Sequence, residues 1–322
     1  MSDIADLIRL AGRRPEPAAF RAARVRMAVE AEWRRTVDRR SRGMAWRWAL
    51  AAAALALAAL WFRPTARPVA PQPPDVATVV RVDGGARLVS SPSAVRLLAT
   101  GDRLVAGAAA DTTAGGRIAL QLASGIALRV KEGTRIVVEA PSSVRLVQGT
   151  IYVDTTLGAT SPRRMQVRTS QGTVYNLGTR FEVEAGPGAV RIRVRNGEVR
   201  VDRAGPEVRV IAGGAVTLLP DRRVEWGPAP PFGKDWSWVE ALAPPFVIEG
   251  AKLESFLNWV SGELGRTWRY ADRAAERYGQ TVVLHGSIEG LTPQEALEAV
   301  LPTCGMSQRT SRGELIVARA AR

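Results

Sequence analysis

The chain has 322 residues, 46% of them hydrophobic, which is typical of a folded protein with more than one domain and excludes global disorder. A single histidine and a single cysteine exclude a zinc centre with several such ligands and a disulfide framework. The formal charge of +14, from 45 basic and 31 acidic residues, is spread along the chain, so no segment has the pattern of a DNA-binding arm.

Residues 1–43 are predicted to form an amphipathic helical tail. Val25, Val29 and Trp33 recur every four residues, which places them on one face of a helix. A segment of this length buries little core by itself. The apolar stripe therefore either docks a partner protein or lies along a membrane surface, and the pattern leaves both interpretations open.

Residues 44–62 are predicted to form one transmembrane helix, because an Ala- and Leu-rich run of about 28 Å nearly matches the hydrocarbon thickness of a bilayer. Side chains suited to the membrane interface flank the run: Trp46, Arg47, Trp48 and Trp61. Arginines are concentrated before the run, so the positive-inside rule predicts a cytoplasmic N-terminus, with residues 63–322 outside the cytoplasm. A buried Ala-rich helix of a soluble domain is the competing interpretation.

A proline-rich linker is predicted at 63–75, and an all-β domain of short hairpin strands, either a β-solenoid or sandwich-like, at 76–226. The sharpest local signal is Asn196-Gly197 between two alternating runs, which predicts a two-residue type I′ hairpin. In that register Val194 opposes Val199 on the buried face, and Arg195 opposes Glu198 on the solvent face.

A second proline-rich linker is predicted at 227–245, and it is expected to let the last domain, 246–322, move partly on its own. Apolar residues at helical spacing predict a helix from Leu253 to Leu264 that ends at Gly265. Thr292-Pro293-Gln294-Glu295 has the pattern of a capping box that starts a second helix. With predicted strands at 246–248, 267–270, 281–285 and 314–318, the order is β-α-β-β-α-β, a small α/β module.

Residues 112–219 resemble the FecR domain of bacterial membrane-anchored anti-sigma regulators. The most specific positions of this resemblance are Leu177, Gly178, Thr179, Arg180, Phe181, Asn196 and Gly197. Residues 246–318 look like the short N-terminal module of secretins and TonB-dependent receptors, called STN. The resemblance implies a protein of the bacterial inner membrane with two periplasmic domains. It also implies two partners: an extracytoplasmic-function sigma factor at the cytoplasmic tail and the signalling domain of an outer-membrane TonB-dependent receptor.

The candidate function is therefore signal relay and not catalysis. His285 is interpreted as a structural histidine in an apolar strand, and no glycine-rich phosphate loop precedes a helix. No catalytic, metal or cofactor-binding residue is predicted. Val25, Val29 and Trp33 are the candidate sigma-docking residues. An envelope scaffold, or a component of a secretion or transport assembly that uses the same modules without a sigma partner, is the alternative.

Overall fold

The computed structural model describes residues 20, 23–34, 74–91, 94–156, 164–176 and 178–320. The chain divides into two compact units, Met1–Pro71 and Gln72–Arg322. In the first unit, residues 23–34 form a helix, α1. Within the described residues, no helix is long and apolar enough to span a membrane, and the predicted span at 44–62 lies outside them.

The second unit begins with an all-β region, as the sequence predicts. Its strands are β1 (Asp75–Asp83), β2 (Ala86–Ser91), β3 (Ala94–Leu97), β4 (Arg103–Val105), β5 (Ala108–Thr112), β6 (Arg117–Leu122), β7 (Ala127–Val130), β8 (Arg135–Ala140), β9 (Ser143–Asp154), β10 (Gln166–Thr169), β11 (Gly172–Asn176), β12 (Arg180–Ala185), β13 (Val190–Asn196), β14 (Glu198–Asp202), β15 (Val208–Ile211), β16 (Gly214–Leu218) and β17 (Val224–Pro228). Most are short and alternate between buried and partly exposed positions, as in β5 and β6.

The strands pair into two layers around one apolar core. Sheet I has the order β4-β1-β6-β7-β9-β12-β13-β16-β17. Sheet II has the order β3-β2-β5-β8-β9-β10-β11-β14-β15. Strand β9 belongs to both: its first half pairs in sheet II and its second half in sheet I. The inward side chains of both sheets form a single buried cluster, so the arrangement is a sandwich.

The prediction of a type I′ hairpin at Asn196-Gly197 is wrong. Strand β13 pairs with β12 and β16 in sheet I, whereas β14 pairs with β11 and β15 in sheet II, so Arg195 and Glu198 are not cross-strand partners. A type I′ turn needs positive φ at both central residues, and here Gly197 has it, at 79°, while Asn196 does not. The dipeptide is instead the crossing between the two layers.

The C-terminal region, residues 246–320, is a small α/β layer with its own buried cluster. Its elements are α3 (Leu253–Leu264), β18 (Thr267–Tyr270), α4 (Arg273–Thr281), α5 (Pro293–Thr303), β19 (Met306–Ser311) and β20 (Glu314–Arg319). The three strands form one sheet in the order β18-β20-β19. The predicted helices at Leu253 and Pro293 are confirmed, and Thr292 and Glu295 form the complete capping box.

The predicted β-α-β-β-α-β order of this region is wrong in four places. Residues 246–248 are not a strand, and of residues 281–285 only Val283 forms an isolated bridge, to Lys252. Helix α4 and strand β19 occupy positions for which no element was predicted. Helix α4 has few apolar residues, and β19 reads MSQRTS, so neither carries the hydrophobic period on which the prediction depended.

Residues 229–245, the covering segment, do not behave as the expected linker. A 3-10 turn (Lys234–Trp236) and a one-turn helix, α2 (Ser237–Glu240), carry side chains that are buried against the β region. Trp236 and Trp238 are 1% and 6% exposed. Because large aromatic side chains are removed from water here, the segment is part of the packed structure and is not an extended linker.

Candidate functional site

The outward surface of sheet I is charged and yet buried. Along β7, β9, β12 and β13, every second side chain enters the apolar core, and the alternate ones point away from it. These outward residues, called the charged face below, are Arg129, Tyr152, Asp154, Arg180, Glu182, Arg193 and Arg195. A strand face of this composition is ordinarily solvated, but here the covering segment and the end of α3 lie over it.

Trp236 is the main apolar contact of the covering segment with the charged face. Its ring lies 4.7 Å from the guanidinium carbon of Arg193 and 5.0 Å from that of Arg195, and it meets the ring of Tyr152 edge-on at 5.8 Å. Its indole N–H donates to the carbonyl oxygen of Pro230 at 2.8 Å. Cation–π contacts of this kind strengthen when water is excluded, as it is here.

Ion pairs connect the same strands to the covering segment. Arg193 contacts the Glu182 carboxylate at 2.7 Å and that of Asp235 at 3.0 Å, and the Trp238 indole N–H also donates to Glu182, at 3.1 Å. Burial raises the pKa of Glu182 above its ordinary value even though Arg193 opposes the shift. Arg195 donates to the Pro231 carbonyl oxygen at 2.6 Å.

The C-terminal end of α3 binds two further arginines of the charged face. Arg129 forms a salt bridge with Glu263 at 2.7 Å, with side chains that are 2% and 3% exposed, and also donates to the carbonyl oxygen of Val239 at 2.8 Å. Arg180 donates to the carbonyl oxygen of Gly262 at 2.6 Å. Cations are favoured at a helix C-terminus because its last carbonyl groups carry partial negative charge. The charged face therefore binds both a side chain and the exposed backbone of α3.

A cavity of about 600 Å³ lies beside these contacts, between sheet I and the C-terminal region. Outward residues of β1, β6 and β7 form one wall, and residues 243–249, Trp259 and the loop at 286–291 form the others. Phe246 stacks on Trp259, with ring centroids 5.3 Å apart. The volume is in the range of small-molecule sites, and the walls are largely apolar.

The candidate sigma-docking residues lie together on the helix that the structure describes in the first unit. Val25, Val29 and Trp33 occupy one side of α1 and are 63%, 62% and 69% exposed. Other predicted site residues lie outside the described residues: Trp46, Arg47, Trp48, Trp61 and Leu177.

Most of the remaining positions in the FecR resemblance hold the sandwich together. Thr179 is buried, and its hydroxyl donates to the carbonyl oxygen of Glu198 at 3.1 Å, which ties the two layers at their crossing. Phe181 is fully buried in the core. Gly178 and Gly197 approach so closely that a Cβ on Gly197 would lie 2.5 Å from the carbonyl oxygen of Gly178. Arg180 differs, since it points outward to α3.

His285 is not in the apolar strand in which it was placed. It lies on an exposed loop, where Nδ1 is 2.8 Å from a carboxylate oxygen of Glu249. The hydrogen bond from His285, together with one from the backbone N–H of Gly286, lowers the pKa of Glu249. With side chains that are 69% and 63% exposed, this pair is a surface contact.

The charged face was not predictable from strand alternation alone, because a solvated strand face and a covered one have the same alternation. A usable signal was the sequence Trp236-Ser-Trp238 within the predicted linker. Leaving two tryptophans so close together in water is costly, so the sequence predicts that another surface of the chain covers them. Arginine and glutamate in alternate positions of β12 and β13 supply that surface.

Comparison with known proteins bears on the central part of the β region. Residues 108–200 match the protein-family model described as FecR protein. The sandwich therefore contains a FecR domain, which extends from β5 into β14 and includes all seven residues of the charged face.

Two crystal structures, at 1.65 and 2.50 Å resolution, of a "putative anti-sigma factor" from Parabacteroides distasonis resemble the chain at 16% identity. In each case the match covers 66% of this chain and 99% of the other, with a TM-score of 0.36. No curated protein matches the chain. At this TM-score the structural likeness carries no argument about function.

Proposed function

We propose that this protein is a non-enzymatic transmembrane regulator of the FecR type. Residues 44–62 would anchor it in the inner membrane of a bacterium, with the N-terminal tail in the cytoplasm and the remainder in the periplasm. The tail would bind an extracytoplasmic-function sigma factor, and the C-terminal region, as an STN-like module, would receive the signalling domain of an outer-membrane receptor. The FecR domain at residues 108–200 carries this proposal.

The charged face supports a role in binding and relay over one in catalysis. Its ionisable side chains are engaged with one another, with the covering segment or with α3. Among the residues described, Glu182 is the only covered acid that also accepts a hydrogen bond from an indole N–H. Such an arrangement joins two parts of the chain. It is suited to passing a change in one part to the other.

The helix α1 supplies the proposed cytoplasmic contact. Exposed apolar side chains on one face of a helix are the usual means by which a helix docks into a groove of a partner. Trp33 is the largest of the three, and tryptophan is among the residues that contribute most to binding. The sigma factor would therefore bind at the stripe of Val25, Val29 and Trp33.

Replacing Trp33 with alanine should weaken binding of the cognate sigma factor by about 2 kcal/mol, roughly thirtyfold in affinity, because an aromatic anchor is lost. The measurement is co-purification and titration of the sigma factor encoded nearest to this gene. Met27→Ala is the matched control, since Met27 is 65% exposed but on another face of α1. Equal loss of binding in both variants would contradict the stripe, and a wild-type tail that binds no sigma factor would favour the scaffold alternative.

A reporter fusion tests the membrane topology. Alkaline phosphatase folds only outside the cytoplasm, so we expect activity when it is fused after residue 322 and none when it is fused after residue 40. The basis is the excess of arginine before residue 44. Activity in the opposite pattern, or a full-length protein that fractionates without the membrane, would overturn the proposed anchor.

A further inference from the structure

The interface between the sandwich and residues 229–320 combines buried ion pairs with a small apolar patch at Trp236 and Trp238, while each side has an apolar core of its own. The inward residues of both sheets form one cluster, and the C-terminal region forms another. In the described part of the chain, a small third cluster lies between them, made of Tyr152 and residues of the covering segment. Since neither main core is shared, each side keeps its principal apolar packing if the two separate.

Because charged groups are buried in it, this interface is weaker than an apolar interface of the same area would be. Moving a charged pair out of water costs nearly as much as the pair regains by attraction, so a buried salt bridge contributes little net stability. Arg195 illustrates the cost, because its Nη1 atom is buried without a hydrogen-bond partner. When the charged face is uncovered, its arginines and carboxylates recover their hydration. An apolar surface of the same size would have no such compensation.

One ion pair, Arg129–Glu263, affects the docked arrangement more than the others do. Arg129 and Glu263 are both almost completely buried and join β7 to the end of α3, 134 residues further along the chain. Arg129 also binds the covering segment through Val239. Removal of either charge leaves the other buried and uncompensated, which strongly disfavours the covered arrangement. The docked state therefore depends on this pair even though the intact pair adds little stability.

We propose that residues 229–320 form a lobe that docks on the charged face reversibly, and that Arg129–Glu263 is the latch of this docking. The undocked state exposes the charged face and the C-terminal end of α3, with both cores intact. If the proposed function holds, undocking is the step by which a signal received at the C-terminal region changes the FecR domain, and this part of the inference rests on the proposed function. The existence of the latch does not depend on the proposed function.

The neighbouring cavity is part of the same interface. Among the described residues that line it, Arg129 is the one fully buried charged side chain, and it is already paired with Glu263. The cavity lining thus offers a ligand no unpaired buried charge. Its walls come from both sides of the latch and separate when the lobe undocks.

Hydrogen exchange on the purified full-length chain tests the latch. In Glu263→Gln, the amides of Ala241, Leu242 and Ala243, which are bonded within the covering segment, should exchange about a hundredfold faster. The amides of Phe181 and Val183, inside sheet I, should keep their wild-type protection. Unchanged exchange in the covering segment would overturn the proposal. Equal acceleration at Phe181 would also overturn it, because the two parts would then unfold together.

Two further variants separate the latch from a general loss of stability. Glu314→Gln removes an exposed ion pair with Arg269 in the same lobe, and it should leave exchange unchanged. Arg129→Met combined with Glu263→Leu removes both charges of the pair, so protection should return to within a few-fold of wild type. A double variant as open as Glu263→Gln would contradict the assigned role of the pair. None of these measurements involves a sigma factor, so their failure would leave the proposed function standing.

Discussion

Replacing Gly149 with alanine is expected to lower the stability of the sandwich by about 3 kcal/mol or more. Gly149 lies where β9 passes from sheet II to sheet I, with φ 89°. A Cβ there would lie 2.3 Å from Thr134 Oγ1 and 2.5 Å from Thr134 Cα, so backbone would have to move. The Thr134 hydroxyl also accepts the N–H of Thr150 at 2.9 Å, and a shift would disturb that bond. Thermal or urea unfolding of the full chain measures the loss.

Gly133→Ala separates the steric clash of an added Cβ from the backbone cost of a positive φ. Gly133 has φ 64°, but nothing lies within 4 Å of the Cβ that alanine would add. It should therefore show only the backbone cost of a left-handed conformation, about 1–2 kcal/mol. If Gly149→Ala and Gly133→Ala cost the same, the close approach of β9 to Thr134 does not constrain the crossing between the sheets.

Replacing Trp236 with alanine is expected to lower the free energy of unfolding by about 3–5 kcal/mol, the usual range for deleting a fully buried aromatic side chain. The change removes the ring that lies against Arg193 and Arg195 and the edge contact with Tyr152. It also leaves the Pro230 carbonyl oxygen without its indole donor. Because these contacts belong to the covering segment, the loss should appear first as proteolytic cleavage at Lys234, before the sandwich unfolds.

The control is Trp226→Ala. Trp226 is 60% exposed on the edge strand β17, and its removal should change stability by less than about 0.5 kcal/mol. Cleavage at Lys234 should stay at the wild-type rate in this variant. A Trp236→Ala protein that resists cleavage as well as Trp226→Ala does would show that the covering segment is held by other contacts.

Elements whose signal is local were predictable from the sequence. The helix α3 ends at Gly265, and α5 starts at the capping box of Thr292, because both the apolar period and the terminal residues lie within a few positions of each other. Strand β18 matches the predicted bounds of Thr267–Tyr270. The all-β character of the FecR region was predictable for the same reason, since alternation persists through many short runs.

Pairing between elements was not predictable in the same way. Val194 and Val199 are both buried, as expected, but they enter the core from opposite sheets. Alternation assigns a side chain to the inside or the outside and is the same whether two strands are neighbours in one sheet or face each other across two. The sign of φ at Asn196 decides between these arrangements, and the dipeptide Asn-Gly is compatible with both.

Local patterns in the chain were enough to establish which residues face the core of the sandwich, where the main helices of the C-terminal region begin and end, and the exposed stripe on α1. These features depend on the spacing of apolar residues and on contacts within a few residues of the chain. The folded arrangement was needed to establish that the outward arginines of sheet I are covered and that residues 229–245 cover them. Arg129 and Glu263 are 134 residues apart, and nothing local distinguishes a charge that will be buried with a partner from one that stays in water.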